Sequence, residues 1–226
     1  DEDYSQCDWL VCRKESKFGI ILRMNFLFPT PFFGLDNFLS EDVTKNLYDQ
    51  ILEDISKNIG YVNPNWDCLV NTSAQRDDAV VYPMDSFKQA YEEFSSQLHL
   101  SEHLYELINP WYNFYTKGQN QEPHTHLYAP NAMFSAVYFL KGTDNTKIVF
   151  SNPSQNWLNY HSYDAHHPVA KIHKNIPEHS YVMNKYVHEP RDNQIIFFPA
   201  YLSHYVPAHR FDTPRITVSF NIELGE

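Results

Sequence analysis

The chain has 226 residues, with 17 Lys+Arg against 28 Asp+Glu for a formal net charge of −11, 12 histidines and 3 cysteines. That length suits one large domain, which would bury roughly 70% of the surface its unfolded chain exposes and needs no disulfide staple. The acidic balance argues against long nucleic acids, whose binding rests on Lys and Arg neutralising phosphates, and Cys7, Cys12 and Cys68 form neither a CxxC pair nor an even disulfide framework. Any bound metal is therefore expected on nitrogen and oxygen ligands. The opening DEDYSQCDWLVCRKESK lacks the basic stretch and apolar run of a signal peptide. No apolar run approaches the roughly 18 residues of a membrane helix, and NIELGE carries no lipidation motif. The sequence reads as soluble and cytoplasmic.

Residues 1–17 read as a charged N-terminal extension, and GIILRMNFLF as a first apolar segment stopped by Pro29 and Pro31. In SEDVTKNLYDQILEDISKN, Val43, Leu47, Ile51, Leu52 and Ile55 recur at helical spacing, with Ser40 as N-cap and Glu41 and Asp42 in the first turn. A second helix is expected from Asp85 as cap through Phe87, Ala90, Tyr91, Phe94 and Leu98. After Pro110 the text changes to short β-rich runs: WYNFYT, AMFSAVYFL, TKIVFS, YVMNKYV, QIIFFP and RITVSFNIE. Two helices followed by six such runs predict an α+β, mainly β fold: an antiparallel sandwich or jelly roll braced by N-terminal helices. The expected layout is one domain over 18–226, with helical support at 36–105 and a β core at 106–226. Residues 151–180 lack periodicity and read as a lid-like insertion.

His124 and His126 lie two apart in YTKGQNQEPHTH, and an extended strand points residues i and i+2 to the same face. Two imidazoles so placed can grip one metal ion, although a lone HxH is as readily a pair of exposed loop histidines. A third histidine, His204, follows the apolar run IIFFPAYL, and Arg215 comes eleven residues later. Arg215, Thr217 and Ser219 share one face of the last run, opposite Ile216, Val218 and Phe220. An arginine aimed into an apolar barrel is costly unless it meets an anion, and its guanidinium suits a carboxylate. The alternative is a surface arginine paired with Asp212 or Asp192.

With these residues the chain resembles the Fe(II)- and 2-oxoglutarate-dependent oxygenases of the double-stranded β-helix (jelly-roll, cupin-like) fold, in the prolyl-hydroxylase-like branch and its bacterial and phage-type relatives. Tyr115, Gly118, Gln119 and His124 fall in register with that family's Y-x-x-G-Q-x-x-x-x-H pattern, and His204 and Arg215 stand at its distal positions. The resemblance covers roughly residues 26–224 and is most specific over 111–140 and 194–222. It implies that His124, His126 and His204 hold Fe(II) and that Arg215 pairs with the distal carboxylate of 2-oxoglutarate. It also implies that O2 is consumed as 2-oxoglutarate is decarboxylated to succinate and a substrate is hydroxylated. For a phage-type member the site of action would be the host cytoplasm. The larger family carries a carboxylate where this chain has His126, so Glu122 is an alternative oxygen ligand; three neutral imidazoles would leave the charge of Fe(II) to the dianionic cosubstrate.

Asn113 and Tyr115 share a strand face and are candidates for binding the cosubstrate. Ser135 and Tyr138 point to opposite faces of theirs, so at most one lines the pocket, and Ser135 is assigned that place. Trp111 and Trp157 read as core or rim packing, and His161, His166, His167, His173 and His179 as decoration of the lid. A small molecule or a peptide is the expected substrate. Two other readings remain open at this point: a three-histidine cupin-like dioxygenase or isomerase without 2-oxoglutarate, and a non-catalytic jelly-roll binding module.

Overall fold

Ser40 opens helix α1 (Glu41–Lys57): its Oγ accepts a hydrogen bond from the Val43 amide at 3.4 Å, and its carbonyl takes the Thr44 amide at 3.0 Å. Glu41 and Asp42 in the first turn and Lys57 in the last complement the helix dipole. The apolar stripe buries Leu47 and Ile51. Helix α2 (Met84–Gln97) begins one residue ahead of the expected Asp85 cap. Pro83 occupies the cap, with φ −78°, and its carbonyl accepts the Phe87 amide at 3.1 Å. Asp85 falls in the first turn, where its charge still meets the helix dipole.

These observations come from a computed structural model, which describes residues 11–15, 21–25, 30–57, 71–73, 80–100, 103–127, 131–153 and 185–225. The chain divides into two units, Asp1–Pro31 and Phe32–Glu226. In the first, strands β1 (Val11–Glu15) and β2 (Ile21–Asn25) pair antiparallel, so a strand falls inside residues 1–17, read above as an extension. Most of the expected lid lies in 154–184, outside the described residues, as do Trp157 and the five lid histidines.

The second unit is built on two antiparallel sheets. The larger has the order β3 (Phe33–Leu35), β10 (Gln194–Pro199), β7 (Ala132–Lys141), β12 (Arg215–Leu224), β5 (Tyr105–Tyr115) and β4 (Asn71–Thr72). The smaller runs β6 (Gln121–His124), β11 (His204–Val206), β8 (Ile148–Ser151) and β9 (Lys185–His188). This is the antiparallel jelly-roll arrangement that the pattern of short strands predicts, and the double-stranded β-helix that the resemblance implies. Strand β5 starts at Tyr105, ahead of the expected Trp111, and passes through Pro110. Between the pairs Ser219–Trp111 and Asn221–Ile108 it carries one extra residue, a bulge that accommodates a residue with no amide to donate.

Period-two alternation sorts each strand of the large sheet into two chemistries. Ile216, Val218, Phe220 and Ile222 of β12, Tyr112 and Phe114 of β5, and Phe134, Ala136, Tyr138 and Leu140 of β7 join the core against the helices. Phe87 of α2 stacks on Phe220 at 4.9 Å, and Phe94 on Phe197 at 5.3 Å. Each such ring stabilises the sheet–helix contact by roughly 2–3 kcal/mol. The opposite faces of the same strands turn toward the small sheet, where Val137, Phe139, Ile148, Phe150, Ile196 and Phe198 form a second core. In the β7–β8 turn, Gly142 has φ +67°, and a Cβ there would meet the Pro214 carbonyl at 2.0 Å. Glycine lets that turn close against the residue preceding Arg215.

Candidate active site

A cavity lies between the sheets. Trp111, Asn113 and Tyr115 of β5 and Arg215, Thr217 and Ser219 of β12 supply one wall, and register pairs them as Tyr115–Arg215, Asn113–Thr217 and Trp111–Ser219. The facing wall holds Gln121 and His124 of β6, His126 just beyond that strand, His204 and Val206 of β11, and Ile148 of β8, while Val137 of β7 also lines the cavity.

Pairing of β6 with β11 sets His124 directly opposite His204. Strand β6 ends at His124, so His126 is placed by the following turn, where its amide donates to the Ala200 carbonyl at 2.9 Å. One ligating atom from each of the three histidines lies within 4.8 Å of the others. That group contains no carboxylate: Glu122 contributes its backbone carbonyl, which accepts from His124 Nδ1 at 2.8 Å. The Leu202 carbonyl does the same for His204 Nδ1 at 2.9 Å. A carbonyl only accepts, so both rings carry their proton on Nδ1 and keep the Nε2 lone pair for a metal.

Burial lowers the pKa of all three rings. For His126, 3% exposed, desolvation and the neighbouring His124 bring it to about 3, against a hydrogen bond with Asn221 that raises it. Desolvation, then His124 and His126, holds His204 well below its ordinary value. The His124 pKa is lowered by desolvation, partly offset by the Glu122 carbonyl bond. Neutral imidazoles are the ligand form.

The metal-free protein should therefore lose stability in mild acid. At pH 5 the unfolded His126, with pKa near 6.5, binds a proton that the folded ring, at about 3, does not. The unfolded state then holds more protons, so stability falls as pH drops below about 6.5, by about 2 kcal/mol at pH 5 from His126 alone. Urea midpoints at pH 7.5 and pH 5 check this, and His126→Gln should shrink the difference.

Arg215 is 2% exposed. Its guanidinium lies over the Tyr115 ring at 5.2 Å and the Phe139 ring at 5.8 Å, and Nη1 donates to the Lys147 carbonyl at 3.1 Å. Nε has no hydrogen-bond partner, and among the described residues no carboxylate forms an ion pair with this side chain. Asp212 pairs with Lys117 and Asp192 with Lys141, so neither serves Arg215 as the surface alternative required. An uncompensated buried cation is costly, and its remaining donors suit an anion entering the cavity. The three-nitrogen donor set and the open guanidinium thus fit a metal and an acidic cosubstrate.

Tyr115 Oη donates to Gln121 Oε1 at 2.9 Å, and Asn113 Nδ2 faces the Thr217 and Ser219 hydroxyls at 3.4 and 3.3 Å. Ser135 does not line the cavity, contrary to its assignment: it sits on the inward face but donates to Asn221 Oδ1 at 2.9 Å. Alternation gives a residue's face and not its depth along the strand. Trp111, read above as packing, lines the cavity with a buried Nε1 that, among the described residues, has no hydrogen-bond partner; the same holds for Asn113 Oδ1. The i, i+2 spacing from Asn113 would have placed Trp111 on the same face.

Residues 109–221 match the family described as "Putative 2OG-Fe(II) oxygenase", which is half of the chain. The chain belongs to the 2OG-Fe(II) oxygenase family. With membership come Fe(II) and 2-oxoglutarate as cofactor and cosubstrate, and the group that can hold the iron is His124, His126 and His204. A 2OG-Fe(II) oxygenase fold is also what solved structures resemble. A prolyl-4-hydroxylase from Pseudomonas putida superposes with TM-score 0.51 at 14% identity, covering 86% of this chain and 93% of its own. HygX from Streptomyces hygroscopicus, solved with nickel and 2-oxoglutarate bound, gives 0.52 at 10% identity over 86% and 83%. The carbocyclase SnoK from nogalamycin biosynthesis gives 0.55 at 11% identity over 86% and 79%. No protein of curated function matches by sequence. Among the described residues, no helix of this oxygenase is long and apolar enough to cross a membrane.

Proposed function

We propose that this oxygenase is a hydroxylase, coupling decarboxylation of 2-oxoglutarate to succinate with insertion of oxygen into a C–H bond of a small molecule or a peptide side chain. The observation that carries the reading is one cavity holding three convergent neutral imidazoles and a buried guanidinium that no carboxylate among the described residues pairs with. His124, His126 and His204 are the metal ligands, and Fe(II), when bound, supplies the oxygen-activating chemistry. Arg215 receives the distal carboxylate of 2-oxoglutarate in a bidentate pair, with Tyr115 fixing the guanidinium from beneath. Tyr115 is itself fixed by Gln121. Ile148, Val206 and Val137 keep the wall around the cosubstrate apolar and exclude water.

Strand geometry separates cosubstrate from substrate. Arg215 and Ser219 are four residues apart, about 13 Å along β12, whereas an extended five-carbon diacid spans roughly 6 Å. The level of Trp111 and Ser219 therefore belongs to the substrate. The Trp111 Nε1–H, without a hydrogen-bond partner among the described residues, favours a substrate group that can accept a hydrogen bond. Protein reconstituted anaerobically with Fe(II) and 2-oxoglutarate, then exposed to oxygen, should release succinate, and ¹⁸O₂ should label the product of a true substrate. Absence of succinate together with absence of 2-oxoglutarate binding would sink the reading. Succinate with an unlabelled, rearranged product would replace hydroxylation by another oxidative outcome.

A further inference from the structure

Arg215 and Tyr115, the guanidinium and the ring beneath it, form the terminal pair of the β5–β12 ladder. Pairing of β12 with β7 begins one residue later, at Ile216 and Lys141. Strand ends are where a sheet opens first, because the last pair has ladder neighbours on one side only. The cation proposed to meet 2-oxoglutarate therefore stands where strand pairing secures it least.

One residue ties together the two segments of chain that leave this pair. His209, 5% exposed, lies in the connection from β11 to β12. Its amide donates to the Gln119 carbonyl and its carbonyl accepts the Gly118 amide, each at 2.8 Å, so its backbone holds the turn that follows Tyr115. Its ring Nε2 lies 2.7 Å from the Thr213 carbonyl, two residues before Arg215. A carbonyl only accepts, so Nε2 carries the proton and donates it there. Among the described residues Nδ1 has no partner, and the Thr213 bond is the ring's one hydrogen bond. Arg210, Phe211, Asp212 and Thr213 are all exposed, which leaves His209 as the buried anchor of this loop. The Lys117–Asp212 ion pair also spans loop and turn, but it is solvent-exposed and contributes little.

The geometry points to His209 as a positioning residue for the cosubstrate: its imidazole fixes the approach to β12 and so the place of the Arg215 guanidinium. Without that bond, residues 210–213 gain conformational freedom, and ordering them is a cost charged to the binding of 2-oxoglutarate. The metal ligands hang on other supports. His124 and His204 face each other across β6 and β11, and the His126 amide bonds the Ala200 carbonyl; the Thr213 bond touches none of these.

The inference rests on the reading that Arg215 receives the distal carboxylate, and titrations on the whole chain separate the two. Ni(II), and then 2-oxoglutarate into the Ni(II)-loaded protein, are titrated into the wild type, His209→Leu, His209→Gln and Arg215→Ala. His209→Leu removes one neutral hydrogen bond and should weaken 2-oxoglutarate binding roughly three- to tenfold, with Ni(II) affinity within twofold of wild type. His209→Gln, whose side-chain amide can donate to the same carbonyl, should recover 2-oxoglutarate affinity to within twofold. A merely structural role predicts a different pattern: both affinities fall together, and glutamine rescues neither. Unchanged 2-oxoglutarate affinity in His209→Leu, a glutamine variant no better than leucine, or equal loss of metal and 2-oxoglutarate overturns the inference alone. An Arg215→Ala protein that keeps wild-type 2-oxoglutarate affinity overturns the reading of Arg215, and the inference with it. Should His209→Leu fail to fold, His209→Asn, polar but shorter than the reach to Thr213, replaces it under the same criteria.

Discussion

Arg215→Ala is expected to weaken 2-oxoglutarate binding by roughly 100- to 1,000-fold while leaving Ni(II) or Fe(II) affinity unchanged. Removing one partner of a buried charge pair costs about 3–4 kcal/mol, which is that range in affinity. Among the described residues little holds this buried arginine: one carbonyl at Nη1 and two aromatic faces, with Nε unpartnered. Arg215→Lys keeps the charge but loses the planar two-pronged geometry and should fall between wild type and alanine. The cosubstrate-free fold should respond in the other direction. Desolvation lowers the pKa of this guanidinium, which is to say that its charge is uncomfortable where it sits. Arg215→Leu, of suitable apolar character for a site beside Phe139, should therefore leave the thermal midpoint of the ligand-free protein unchanged or raised. Calorimetric titration of 2-oxoglutarate and of metal into each variant, with a melting curve, checks all three statements. Parallel loss of metal and 2-oxoglutarate would mean that Arg215 shapes the metal site instead.

What could be read in the sequence and what could not divides along a physical line. The faces of β12 were legible because alternation puts Ile216, Val218 and Phe220 against helices and Arg215, Thr217 and Ser219 against a cavity, two surroundings with different chemistry. Helix α1 was legible because Ser40, an acidic first turn and a 3.6-residue stripe agree. The start of α2 was missed because Asp85 is the better side-chain cap in isolation, while Pro83 supplies a fixed φ and a carbonyl that composition does not advertise. Ser135 was placed on the correct face and at the wrong depth, because depth depends on register across β7, β10 and β12. The same limit hid the bond between Ser135 and Asn221, which joins residues 86 positions apart across β7 and β12, and no local pattern encodes that meeting.

His204→Phe is the sharper test of the metal site. It should reduce metal affinity by at least roughly 100-fold and, unlike the Arg215 variants, carry 2-oxoglutarate binding away with it. A ligand's share of a metal-binding energy of roughly 10–16 kcal/mol over four donors is about 3 kcal/mol, enough for that factor. Phenylalanine is preferred to alanine because the His204 ring is also packing: it lies 4.8 Å from the Phe198 ring and 5.6 Å from Phe150. Alanine would add a cavity penalty to the loss of a lone pair and confuse fold with function. Phenylalanine keeps the ring, gives up the Nδ1 bond to Leu202 and removes the nitrogen that faces His124 and His126. Coupling of the two losses follows from geometry. With two imidazoles the metal no longer has a fixed face, so the cosubstrate keeps only its contact with Arg215. A His204→Phe protein that is folded by circular dichroism and binds Ni(II) within threefold of wild type would remove His204 from the ligand set, and with it the three-histidine centre.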